Sequence, residues 1–166
     1  MANISNSKLL QNDTGILHPE SACIVIVKTE WNAAIVDELE RGALSVLKEK
    51  GVGKIIQLTV PGAVELPFAV KQFWERRKGT DTHPSAFIAL GCVVRGDTPH
   101  FEYVCSSVTQ GLTQLNVELP VPTIFGVLTV NTDEQAQERI GGRHGHKGEE
   151  AAITALKMVA LSQSIS

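Results

Sequence analysis

The sequence contains no long apolar run. Its longest stretches, such as Cys23 to Val27, fall far short of the ~20 residues that a membrane-spanning helix needs. No membrane role is expected. The first twenty residues are polar and lack the apolar core of a secretory signal. A strong excess of one charge is also missing. Fifteen Lys and Arg stand against 18 Asp and Glu, a net charge of -3, which gives no electrostatic basis for binding nucleic acid or an anionic membrane. There is no CxxC pair. The three cysteines, Cys23, Cys92 and Cys105, are odd in number. Two fall in apolar, strand-like runs and one follows a helix-like start. Buried free thiols in a reducing compartment account for all three, and the expected location is cytoplasmic. No repeat, low-complexity tract or interdomain linker is present, and 166 residues suit one domain.

Residues 1–20 are rich in Asn, Ser and Gln and show no periodicity. They read as an arm, flexible or ordered by a neighbouring subunit, ahead of a single domain over residues 21–163. From there, short apolar runs alternate with amphipathic ones. Cys23 to Val27 is continuously apolar, as expected of a strand covered on both faces. Asn32 to Lys50 carries Ile35, Val36, Leu39, Ala43, Val46 and Leu47 at helical spacing, with Gly51 as the stop. Lys54 to Val60 reads as a strand, Val64 to Lys78 as a helix, and Ala86 to Val94 as a strand. Thr98 is placed to cap a helix that starts at Pro99 and runs to Asn116. After a strand over Thr123 to Val130, Thr132 and Gln135 form a capping-box pattern. A glycine-rich loop, Gly141 to Gly148, then leads to a helix over Glu149 to Leu161.

Alternating strands and helices predict an α/β fold, a parallel sheet with helices on both faces. Such sheets bind ligands outside the carboxyl ends of their strands. The segments expected to meet there are Thr29–Asn32, Pro61–Glu65, Arg95–His100 and the turn after Val130. Each carries a candidate residue. Trp31 offers a flat apolar face for a planar heterocycle, although a tryptophan in a subunit contact would look the same. Glu65 is a carboxylate at a helix start, where it could also serve only the helix dipole. Gly96, Asp97 and Thr98 precede a helix whose amides favour a phosphate. His100 lies in the first turn of that helix. The positive dipole end there disfavours imidazolium and suits a neutral base, or simply a packed histidine. Arg139 and Lys147 flank the glycine-rich loop and offer phosphate ligands, or ordinary surface charge. His144 and His146 lack the carboxylate or thiolate companions of a metal site, so no metal is expected. Nor is the loop a P-loop, because His146 replaces the glycine needed before the lysine.

Five motifs, taken together, resemble the lumazine synthase family. They are Glu30-Trp31-Asn32; Pro61-Gly62-Ala63-Val64-Glu65-Leu66-Pro67; Leu90 to Gly96 with His100-Phe101-Glu102-Tyr103-Val104; Phe125-Gly126-Val127-Leu128-Thr129; and Gln135 to Arg139 with Gly145-His146-Lys147-Gly148. Order and spacing agree from about Cys23 to Leu161. The resemblance implies a flavodoxin-like three-layer α/β/α fold with a central four-stranded parallel sheet. It also implies condensation of a ribitylamino-pyrimidinedione with a dihydroxybutanone phosphate to give dimethyl-ribityllumazine, phosphate and water, a step of riboflavin biosynthesis that uses no cofactor.

On this resemblance Trp31 would stack on the pyrimidine. Asn32, Val64, Glu65, Leu66, Cys92, Val93 and Val94 would hold the ring and its ribityl chain. Gly96, Asp97, Thr98 and Arg139 would bind phosphate, and His100 would transfer protons. Phe125 and Lys147 would line the pocket, Phe125 from an adjacent subunit. Two residues depart from the family pattern: Cys92 where threonine is common, and Asp97 where a small residue is common and a negative charge would repel phosphate unless turned away or paired. The resemblance further implies a homo-oligomer, a cyclic pentamer in which the arm can add a strand to the neighbour's sheet. The short glycine-rich link resembles members that build 60-subunit icosahedral shells. Riboflavin synthase is an implied partner. Two other readings share the fold: a flavin- or lumazine-binding protein without catalysis, and a shell-forming protein with a degenerate site.

Overall fold

The computed structural model describes Leu9 and residues 18–165. Most of the expected arm therefore lies outside the described residues. Of its described part, Pro19–Ser21 form a 3-10 turn, and the Leu9 carbonyl accepts from Lys157 Nζ at 2.8 Å.

Four strands, β1 (Cys23–Thr29), β2 (Lys54–Val60), β3 (Ala86–Val94) and β4 (Thr123–Val130), form a sheet in the order β2-β1-β3-β4. Every pairing is parallel. The helices α1 (Ala33–Glu49), α2 (Leu66–Arg77) and α3 (His100–Glu118) carry the three crossovers; a short α4 (Asp133–Gln137) and the longer α5 (Lys147–Ser164) follow β4. This is the flavodoxin-like three-layer arrangement. Alternation along the strands divides the core in two. Ile24, Ile26, Ile88, Leu90 and Leu128 pack with α1 and α5, whereas Val25, Val27, Phe87, Ala89 and Val127 pack with α2 and α3. Both faces of β1 and β3 are thus buried, which explains their unbroken apolar runs.

The ends of α1 show how locally the chain is specified. Asn32 precedes it in the left-handed region, φ 57°, a conformation that asparagine tolerates better than most residues. At the far end Gly51 has φ 74°. Its amide donates to Lys48 O at 3.0 Å and that of Val52 to Leu47 O at 3.0 Å, the paired bonds of a Schellman ending. Between α1 and the sheet, buried Glu40 is held by Lys28 Nζ of β1 at 2.6 Å and Gln57 Nε2 of β2 at 2.9 Å.

Three local expectations need correction. Thr98 supplies no cap and Pro99 precedes α3 rather than opening it: Pro99 holds the N-cap position, already in helical conformation and without a side-chain cap bond. The glycine-rich segment is an antiparallel hairpin, β5 (Ile140–Gly142) and β6 (Gly145–His146), and α5 starts at Lys147. Gly141 (φ 115°) and Gly145 (φ 77°) supply the backbone angles its tight turn requires. Finally, Cys23 and Cys92 are buried free thiols, but Cys105 is only half-buried. The Thr132 capping box holds: its hydroxyl accepts from Gln135 N at 3.3 Å, while Gln135 Oε1 accepts from Asn131 N at 2.9 Å.

Candidate active site

The strand order reverses direction between β1 and β3, which opens a crevice at their carboxyl ends. A cavity of about 550 Å³ lies there. Trp31 and Asn32 line it from the end of β1, Gly62 to Glu65 from the turn after β2, Cys92 to Val94 from the end of β3, and His100 and Val104 from α3. The segments are tied to one another. Glu30 N donates to Val60 O at 2.9 Å, continuing the sheet ladder past β1. Asn32 Nδ2 donates to Cys92 O at 2.8 Å, bridging β1 to β3 across the floor. Trp31 is 73% exposed, an apolar plane open to solvent. A β-carbon at Gly62 would lie 3.0 Å from Glu65 Oε2 and 3.5 Å from Trp31 Cδ1. Glycine there lets the carboxylate and the indole share one rim.

The first turn of α3 is held from outside. Arg95 follows β3, and its Nε donates to Asn131 Oδ1 at 2.9 Å. Its guanidinium lies 4.2 Å over the Phe101 ring and pairs with Glu102, the two residues after His100. That pairing draws the Glu102 carboxyl below the usual range. Burial, with a smaller contribution from Asp133, pushes the Cys92 thiol up to about 11, so Cys92 meets the cavity as a neutral, weakly polar wall. Gly96, Asp97 and Thr98 are exposed beside the cavity rather than lining it. Among the described residues nothing accepts from their amides and Asp97 makes no ion pair.

Not every candidate gathers here. Leu66 is fully buried beneath the turn. Phe125 and Lys147 line a second cavity, about 520 Å³, with Asn116, Glu150, Thr154 and Met158. Phe125 is in register with Ala89, three residues before Cys92. At ~3.3 Å per residue it sits about 10 Å down the sheet from the first cavity's floor. Lys147 Nζ contacts both Glu150 carboxylate oxygens, at 2.7 and 2.8 Å. Arg139 is buried, donates to Gln135 O at 2.5 Å, and lines neither cavity. His144 faces Glu138, and no group of three or more His, Cys, Asp or Glu able to hold a metal occurs among the described residues. Among those residues no helix is long and apolar enough to cross a membrane. Gly62, Ala63 and Val104 line the cavity, although they were named only within the motifs and given no role. Val104 stands one helical turn from His100, so the i,i+4 spacing was the available signal.

A planar aromatic, a carboxylate, an imidazole and open amides on one rim suit a small planar molecule bearing hydroxyls, with an anion close by. Fold and site together define an α/β protein of flavodoxin-like architecture with a crevice of a size for a small molecule. Comparison with known proteins gives the particular family. The sequence profile of 6,7-dimethyl-8-ribityllumazine synthase matches residues 21–163. Proteins of that name from Porphyromonas gingivalis, Parabacteroides distasonis and Bacteroides fragilis are similar. The first is 53% identical over 142 residues (84% of this chain and 85% of the relative). The second is 50% identical over 141 residues, with the same shares. The third is 47% identical over 143 residues (85% and 96%). The chain belongs to the 6,7-dimethyl-8-ribityllumazine synthase family.

Proposed function

We propose that this protein condenses 5-amino-6-ribitylamino-pyrimidinedione with 3,4-dihydroxy-2-butanone 4-phosphate. The products are 6,7-dimethyl-8-ribityllumazine, phosphate and water. The observation that carries this reading is the meeting of Trp31, Asn32, Glu65 and His100 around one crevice. The pyrimidine stacks on Trp31, Glu65 accepts hydrogen bonds from the ribityl hydroxyls, and Val64, Leu66, Cys92, Val93 and Val94 provide backbone and walls. The phosphate lies against the amides of Gly96, Asp97 and Thr98, where fixed N–H groups stabilise an anion. Asp97 is exposed and without an ion pair among the described residues, so its carboxylate is free to turn to solvent when the phosphate binds. His100 moves protons as the 5-amino group adds to the ketone carbonyl and a first water leaves, as phosphate is expelled, and as the ribityl-bearing amine closes the second ring on the remaining carbonyl with loss of a second water. Its place at the mouth of the cavity lets it exchange protons with solvent between steps.

The remaining candidates support an assembly reading. Phe125, Lys147 and Arg139 lie away from the crevice, so the site in one chain is half of a site. A neighbouring copy supplies the other half, in a cyclic pentamer whose heterologous contact closes into a ring, with further assembly into a 60-subunit shell. Exposed Phe68, Tyr103 and Val117 are apolar surface of the kind such contacts cover. Free thiols at Cys23, Cys92 and Cys105 fit a cytoplasmic location.

Mixing the purified protein with both substrates and following lumazine fluorescence tests the reaction. Product is expected, and its absence with both substrates intact refutes the proposal. Light scattering and electron microscopy test the assembly, and a monomer at micromolar concentration refutes it.

A further inference from the structure

His146 is buried and has no part in the chemistry above, yet three elements converge on its ring. It precedes α5, and its Nδ1 accepts from Glu149 N at 3.4 Å. Its Nε2 faces Glu38 Oε1 of α1 at 3.4 Å. With Nδ1 the acceptor, the ring proton resides on Nε2 and points at that carboxylate. Glu38 is in turn paired with Arg41. The neighbouring α1 residue is Gly42, where a β-carbon would stand only 2.1 Å from His146 Cε1. The glycine is a socket cut to the imidazole. On the third side His146 pairs with Ile140 across the hairpin, and the next residue's amide, Lys147 N, donates to Arg139 O at 2.8 Å. The two cations assigned to the substrate are therefore joined main chain to main chain, one residue from this ring.

We infer that His146 is a positioning residue. By capping α5 and seating in the Gly42 socket, it fixes the spacing of Arg139 and Lys147 and so sets the capture of the phosphorylated substrate. The inference rests on the function proposed above. It requires the acceptor at Nδ1 and the fit of the ring, not a positive charge on it. The facing groups are Glu38 and Arg41 from α1 and Glu149 from α5, with Glu138 and Arg143 paired to each other further along the hairpin.

The test is steady-state kinetics of the full-length, assembled protein with both substrates. Calorimetric titration with inorganic phosphate runs alongside. For His146→Ala, KM for the phosphorylated ketose rises about tenfold or more, as expected for misplaced positioning groups. Phosphate binding weakens in parallel, while kcat and KM for the pyrimidine change by less than about threefold. A role in stability alone predicts the reverse pattern: kcat falls as active protein is lost, and KM for the ketose stays put. His146→Asn keeps a strong capping acceptor and restores most of the ketose affinity. His146→Leu fills the space without an acceptor and does not. If His146→Ala fails to assemble, the Asn and Leu pair decides. Equal ketose KM and phosphate affinity in wild type and His146→Leu overturns the inference while leaving the proposed function intact. A wild-type protein that binds phosphate but makes no lumazine overturns the proposed function instead.

Discussion

If the site is shared between copies, two inactive variants should rescue each other. Let one chain carry His100→Ala, which removes the proton carrier but leaves Phe125 and Lys147. Let the other carry Phe125→Ala with Lys147→Ala, which spoils the donated face but leaves His100. Each alone should lose roughly 100-fold or more of its turnover, the scale for a lost acid/base or a misplaced substrate. In a randomly mixed one-to-one assembly, a site works when its crevice comes from the double variant and its donated face from the His100→Ala chain. Each condition holds half the time, so about a quarter of the sites are intact in a closed ring. Co-expressed, differently tagged chains should recover about a quarter of wild-type fluorescence production, roughly 25 times the activity of either parent. The prediction rests on a separation within one chain: Phe125 lies about 10 Å down the sheet, in register with Ala89, and lines a different cavity from His100. Parental activity in particles shown by mass spectrometry to contain both chains would refute the shared site.

Three further outcomes follow from the geometry. His100→Ala alone should lower kcat by roughly 10²–10⁴ with pyrimidine binding, read by calorimetry, largely kept; wild-type turnover would remove it from the chemistry. Glu38 is held at about 2 instead of 4.5, chiefly by Arg41 and also by His146. Its contribution to stability is full above 4.5 and lost as pH falls toward 2, so Glu38→Gln should flatten the stability profile over that window in acid-denaturation titrations, and an unchanged slope would count against the pairing. Gly148→Ala would set a β-carbon 1.9 Å from Leu39 O. Because that obstacle is backbone, a loss of about 3 kcal/mol or more is expected by urea unfolding, and a wild-type midpoint would show that α1 and α5 can part freely.

The fold was legible because strands buried on both faces write themselves as unbroken apolar runs, and because Gly51 and Thr132 carry local instructions that tertiary packing leaves alone. The crevice was legible for a related reason: strand ends are fixed by topology, so Trp31, Glu65 and His100 had to share a rim. What escaped depended on contacts between distant segments. Nothing near Gly145 announces that His146 will seat against Gly42, about a hundred residues earlier, and so convert a glycine-rich loop into a hairpin. Thr98 looked like a cap by its position, but Pro99 had already turned into the helical region and left the hydroxyl without a role there. The burial of Arg139 was equally hidden, since a basic residue beside glycines resembles surface charge until the packing around α4 is known.

The chain holds two tryptophans, and the fold has put them in opposite environments. Trp74 is 7% exposed and meets His83 edge-on at 5.1 Å, whereas Trp31 stands open on the rim of the crevice. Their emission should therefore separate into a blue, shielded component and a red one that iodide can reach. Only the red one should dim when a heterocycle stacks on the indole. That outcome would give an optical gauge of site occupancy that needs no label, together with an internal standard in the same chain.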